Sequence, residues 1–208
     1  MSKTKDYRIE NRFNKIKNSF GKNNPMCYTT SNEMLDKMMR GKKKCSKSHH
    51  DTIILKASMV HLYKLIPSVT SIELNIITDL SHKKSPKNNI IRKKYNIGSA
   101  FWVPRILNHA FNIIITPKKV IISQSWFRIM NYKVIYELSH KRFIMWLDEF
   151  RSKIKNYKNA PMEVFNLFKF PKAKIDADIK NMFKYAKDSP KSIIQFRADY
   201  SYFGKPCE

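Results

Sequence analysis

Residues 106–130 read ILNHAFNIIITPKKVIISQSWFRIM, and the choice between strand and helix here settles the fold class. The first half is ambiguous: ILNHAFNIII suits a strand, a helical turn or an irregular connector. Pro117 suits the first turn of a helix, because its missing N–H is one that a helix start leaves unbonded anyway. Ile121, Ile122, Ser125, Ile129 and Met130 continue such a helix with Trp126 alongside, so the second half reads as helical.

Upstream, IRKKYNIGSAFWVPRIL (91–107) carries Asn96 and Gly98 as a tight-turn signal between β-branched, aromatic and cationic residues. It predicts a two-stranded ribbon at about 89–106 with Arg92, Lys93, Lys94 and Arg105 along it. Before the loop at 81–89, Thr70 and Glu73 have capping-box spacing, and Ile72, Ile76, Ile77 and Leu80 give the helix they would start a buried face. From Ser46 or Ser48 to Ile66, the stripe Ile53, Ala57, Val60 lies beside Leu55, Met59, Leu62, Ile66, which predicts a helix packed on two sides and ended by Pro67. Thr30 and Glu33 predict another helix start, followed by the stripe Met34, Leu35, Met38, Met39 and a Gly41 C-cap. Residues 1–29 show no apolar periodicity and read as a mobile basic arm.

Downstream, Ser139 can cap the clearest helix, with Phe143, Leu147, Phe150, Ile154 and Tyr157 on one face. KNAPMEVFNLFKFP reads as a connector, and Ile175, Ile179, Met182, Phe183 and Ala186 mark a last amphipathic helix from about 173 to 187. The tail follows from about 189 to 208. The expected fold is therefore mainly α: a six-helix bundle-like body over 30–188 with one inserted β-hairpin, a flexible basic N-terminal arm and a C-terminal tail.

The composition narrows the partners. The chain has 208 residues, 41 Lys and Arg against 16 Asp and Glu, and a formal net charge of +25. Solubility needs a magnitude of only about 2 to 8, and excess charge opposes compaction, so a polyanionic partner is implied. Apolar runs such as NIIIT (112–116) fall far short of the roughly 20 residues that cross a bilayer, so the expected polyanion is nucleic acid and not a membrane. The N-terminus reads neither as a secretory signal nor as an acid-poor transit peptide, and is expected to be the mature start. Cys27, Cys45 and Cys207 are too few and scattered for a disulfide framework; Cys45 with His49 or His50 could contribute to a zinc site, but no paired Cys-x-x-Cys accompanies it, so no metal or cofactor is expected. Abundant lysine, asparagine and isoleucine with only 4 glycines is the composition an A+T-rich, often organellar, genome imposes.

The order of elements resembles the universal small-subunit ribosomal protein seven family. The residues that carry it are Gly41, Lys42 and Lys43 before a long helix; the hairpin motif Gly98, Ser99, Phe101, Val103, Pro104; and Pro117, Lys118, Lys119 followed by Trp126. The pattern spans about 30–188, and departs from the family at Ile97, where a second hairpin glycine is usual, and at Ser125, where a basic residue is usual. The resemblance implies a structural, non-enzymatic constituent of the small ribosomal subunit that binds the head domain of its rRNA, aids head assembly, touches neighbouring ribosomal proteins and brings its hairpin near the exit-site tRNA. With the composition, it implies a mitochondrial ribosome.

A-form RNA is gripped through phosphates and 2′-hydroxyls. The expected phosphate contacts are Lys42, Lys43, Lys44, Arg92, Lys93, Lys94, Arg105, Lys118, Lys119 and Arg128, with Phe101 or Trp102 of the hairpin stacking on an unpaired base. No phosphate-binding glycine loop, HExxH or nucleophile elbow is present, and Asp148 and Glu149 point to different sides of a helix, which argues against an enzyme. The competing reading is an organellar nucleic-acid-binding factor, for DNA packaging or RNA processing, outside the ribosome.

Overall fold

Pro117 occupies a hairpin turn. In the computed structural model, strand Arg105–Ile115 (β2) pairs antiparallel with Val120–Trp126 (β3), in register Phe111 with Gln124, Ile113 with Ile122 and Ile115 with Val120. β3 in turn pairs antiparallel with Tyr132–Leu138 (β4), Ile122 opposite Tyr136. The proline fixes φ near −65°, which serves the first central position of a turn as well as it serves a helix start. Around it the β-branched Ile113, Ile114, Ile115, Val120, Ile121 and Ile122 are all buried, and they fit a pleated surface better than a helix.

The structure describes residues 7–18, 27–39, 58–64, 66, 68–78, 105–126, 132–156, 159–168, 180, 184, 187 and 192–202. In chain order the remaining elements are α1 (Tyr7–Ile16), α2 (Cys27–Met39), α3 (Met59–Lys64), β1 (Ser68–Thr78), α4 (His140–Ile154), α5 (Ala160–Leu167) and β5 (Ser192–Tyr202). The strands form one five-stranded sheet in the order β4-β3-β2-β1-β5. The expected mainly α, six-helix bundle-like fold is thus wrong: the chain is α+β, and β1, β3 and β5 stand where a helix, a helix and a tail were expected. The predicted ribbon at 89–106 lies outside the described residues, apart from its last two positions, which begin β2.

Two compact units divide the chain: Met1–Glu73 with His109–Asp148 and Phe196–Glu208, and Leu74–Asn108 with Glu149–Gln195. In the first, the sheet is covered on both faces. Val69, Ile114 and Ile121 pack against Met34, Leu35 and Met38 of α2 and Ile9 and Phe13 of α1. The opposite face meets α4, where Trp146 lies edge-on to Phe111 at 6.4 Å and stacks with Phe143 at 6.0 Å. Strand alternation explains the division, since Ile113 and Ile115 point away from the side that Ile114 faces.

Burial on both faces also accounts for β1. Val69, Thr70, Ser71 and Ile72 are buried in succession, a run that a helical stripe cannot produce. Thr70 and Glu73 are therefore strand residues, and their capping-box spacing is coincidental. Polar groups tie α2 to this sheet: Ser31 Oγ lies 2.7 Å from Ser71 Oγ, and Asn112 Nδ2 donates to the Ser31 carbonyl at 2.9 Å.

The N-terminal arm is corrected as well. Ile9, Phe13 and Ile16 fall at i, i+4 and i+7 of α1, whose Arg12 guanidinium donates to the Met38 carbonyl at the end of α2. That bond satisfies one of the carbonyls a helix C-terminus leaves open. α2 begins at Cys27, so the buried Thr30 lies inside it and is not its cap, while Met34, Leu35 and Met38 form the expected core face. In α3 only Leu62 is buried, Met59 is half-buried and Val60 is exposed, so the packing expected on the Val60 side is absent there.

α4 agrees with the expectation from sequence. Ser139 Oγ accepts from the Arg142 N–H at 3.3 Å, and Phe143, Leu147 and Phe150 are fully buried, each contributing about 1.5–3 kcal/mol. In the second unit, α5 occupies part of the expected connector. The Asn159 carbonyl accepts from Glu163 N at 3.0 Å, and Phe150 meets Phe168 edge-on at 6.2 Å. Lys153 Nζ reaches Glu163 at 2.8 Å and Glu149 at 3.5 Å, and the hydrogen bond to Glu163 holds its pKa above the ordinary value. Lys180, Lys184 and Lys187 are helical, in line with the last predicted helix. No described helix is long and apolar enough to cross a membrane.

Two outcomes follow from this packing. Phe13→Ala is expected to cost about 3–5 kcal/mol in urea denaturation, whereas a mutation in a detached arm would cost nothing. On the α4 face, His109 Nε2–H donates to Gln124 Oε1 at 2.7 Å, and burial pushes the imidazole from 6.5 down to about 4. Between those values the unfolded chain binds more protons than the folded one, so stability is full above pH 6.5 and is lost as pH falls towards 4. The loss is on the order of 3 kcal/mol, and urea midpoints across that range should flatten in His109→Leu.

Candidate nucleic-acid interface

The β2–β3 turn has two central residues, Pro117 and Lys118, and an unusual closure. Thr116 N donates to the Lys119 carbonyl at 2.9 Å, but Lys119 N donates back to the Thr116 hydroxyl at 3.1 Å and not to its carbonyl. Lys118 N also reaches that hydroxyl, at 3.3 Å. A two-residue hairpin normally uses a primed turn with φ > 0, which proline forbids, so the threonine side chain replaces the missing backbone acceptor. The hydroxyl lies 2.7 Å from Glu10 Oε1 and 2.8 Å from the Lys119 carbonyl.

The Thr116 carbonyl, released from the turn, accepts from His140 Nε2–H at 2.8 Å. This bond ties the turn to the first residue of α4, and His140 in turn meets the ring of Tyr63 on α3, centroids 5.6 Å apart at 53°. Hairpin tip, α4 start and α3 thus form one surface of the first unit. Lys118, Lys141, Arg142 and Lys64 on these elements are exposed, as are Tyr63 (56%) and Val60 (67%) of α3.

Two carboxylates, Glu10 and Glu137, reach the turn, while the start of α4 carries cations alone. Lys141 and Arg142 occupy the first turn of α4, which has no acidic residue. That end of a helix already carries partial positive charge, so each cation there is disfavoured by about 0.3–1 kcal/mol unless an anion lies nearby. Lys119 Nζ pairs with Glu137 at 2.7 Å.

In the second unit, Lys180, Lys184 and Lys187 are each helical and exposed.

Of the phosphate contacts expected from sequence, Lys118 and Lys119 lie at the tip of a hairpin, although not at the start of a helix. Arg105 is the first residue of β2. Lys42, Lys43, Lys44, Arg92, Lys93, Lys94 and Arg128, with the hairpin residues Gly98, Ser99, Phe101, Trp102, Val103 and Pro104, lie outside the described residues. Sequence reasoning passed over Tyr63, His140, Lys141 and Arg142. The signal for the last two was present: SHKRF (139–143) places two cations directly after a helix cap, with no acid in the turn. Tyr63 had none, because its neighbours come from distant parts of the chain.

Thr116→Val is expected to destabilise the protein by about 1–3 kcal/mol, because the turn amides lose their acceptor, while Thr116→Ser keeps most of the stability; urea denaturation of the two variants checks this. No protein-family model, no curated protein and no solved structure matches the chain.

Proposed function

We propose that this chain is a structural, RNA-binding constituent of the small subunit of a mitochondrial ribosome. The observation that carries the reading is the surface formed by the hairpin tip, α4 and α3, where exposed Lys118, Lys141, Arg142 and Lys64 accompany an exposed aromatic ring in a chain of net charge +25. Cations gathered on a rigid scaffold neutralise phosphates and release condensed counterions, which is the main source of affinity for nucleic acid. The A+T-rich composition supports the organellar setting. Binding to the head of the small-subunit rRNA, beside neighbouring ribosomal proteins and the exit-site tRNA, is the proposed location, supported by the motifs at Gly41–Lys43 and Gly98–Pro104.

A second reading, a nucleic-acid-binding factor outside the ribosome, is favoured by one observation: β1 and β3 stand where the ribosomal resemblance calls for helices. Sedimentation separates the two. A ribosomal constituent stays with small subunits through a high-salt gradient, and a packaging or processing factor is stripped off.

If about 6 phosphates are neutralised, raising salt from 50 to 200 mM weakens filter binding to the rRNA head domain by on the order of 10³. The double variant Lys141→Ala, Arg142→Ala is expected to reduce the salt slope by about 2. Salt-independent binding would overturn the proposal.

A further inference from the structure

Leu62 anchors α3, fully buried, while Val60 and Tyr63, one turn apart on another face, are turned outward. Tyr63 is not left loose by this exposure. One side of its ring leans on His140, and His140 is itself oriented by the bond from Nε2–H to the Thr116 carbonyl in the β2–β3 turn. The result is an aromatic ring in tilted contact with His140, on a residue that is 56% exposed. Lys64 follows it in sequence, and Lys141 and Arg142 follow the histidine that supports it.

An A-form duplex has no use for such a ring. Its base faces are stacked on one another and its major groove is too deep and narrow for side chains, so it is gripped through phosphates and 2′-hydroxyls. An unpaired base offers a π-face to an aromatic side chain, and the phosphates on either side of it meet the cations. We infer that Tyr63, supported by His140, is a stacking platform for an unpaired base, so that the RNA segment bound at this surface is single-stranded or a loop and not continuous duplex. This rests on the RNA-binding reading above and narrows it to a class of RNA structure. Preorganisation by His140 adds to the case, because a ring already fixed loses little rotational freedom on stacking.

The test compares the full chain with its Tyr63→Ala, Tyr63→Leu and Tyr63→Phe variants. The probes are a short unstructured RNA and the duplex it forms with its complement, with binding followed by fluorescence anisotropy. Tyr63→Ala and Tyr63→Leu are expected to weaken single-strand binding by about 5- to 150-fold while duplex binding stays within about twofold; Tyr63→Phe keeps the wild-type preference, because the stacking face remains. Leucine preserves the bulk and apolarity of the site, so it carries the test if the alanine variant loses helix α3. Salt-dependent binding of both RNAs that ignores Tyr63→Leu, or falls equally for both, overturns the platform and leaves RNA binding standing. A wild-type chain that binds neither RNA overturns RNA binding itself. Tyr63-dependent binding to phosphatidylserine vesicles, with no effect on single-stranded RNA, assigns the surface to anionic lipid and also overturns the inference.

Discussion

Burial of both faces of the β2–β3 pair is the constraint on which the described structure rests. Ile113, Ile114 and Ile115 stand opposite Ile122, Ile121 and Val120, and none of the six is exposed. Such a pair needs cover on two sides. α1 and α2 supply it on one face, and α4 supplies it on the other. The N-terminal helix is therefore part of the core, and the turn that joins the pair is held in one place.

That fixed turn is what links scaffold to surface. Proline at its first central position rules out the primed geometry, the Thr116 hydroxyl takes over as acceptor, and the displaced carbonyl becomes the partner of His140. A backbone conflict inside the hairpin is thus resolved by a side chain from the next helix. The same side chain supports Tyr63. Lys141 and Arg142, which follow His140, stand in the first turn of α4, where the helix dipole opposes them.

The core carries polar groups that limit its range of conditions. His109 is wholly buried between Phe111 and Gln124 and held neutral by that burial, while Tyr136 on the same face has its phenol pushed well above the ordinary value. His109 lies on the central strand β2 and Tyr136 on the edge strand β4. Neither belongs to the basic surface.

The sequence by itself determined the charge and the helices whose apolar stripes meet a single neighbour: α4 behind its Ser139 cap, and the Met34, Leu35, Met38 face of α2. These were legible because one-sided burial leaves a periodic trace. The sheet was not, since a strand covered on both faces loses its alternation and reads as a plain apolar run, for which a proline and a chance Thr-x-x-Glu spacing can suggest a helix. α1 escaped notice because its three apolar residues are diluted by charged and amide side chains. Within the candidate site, the cations were visible in the chain. Only tertiary structure decided that Lys118, His140 and Tyr63 share a surface, because the contacts that join them span 24 residues from Thr116 to His140 and reach further still to α3, and no local pattern encodes a partner that distant.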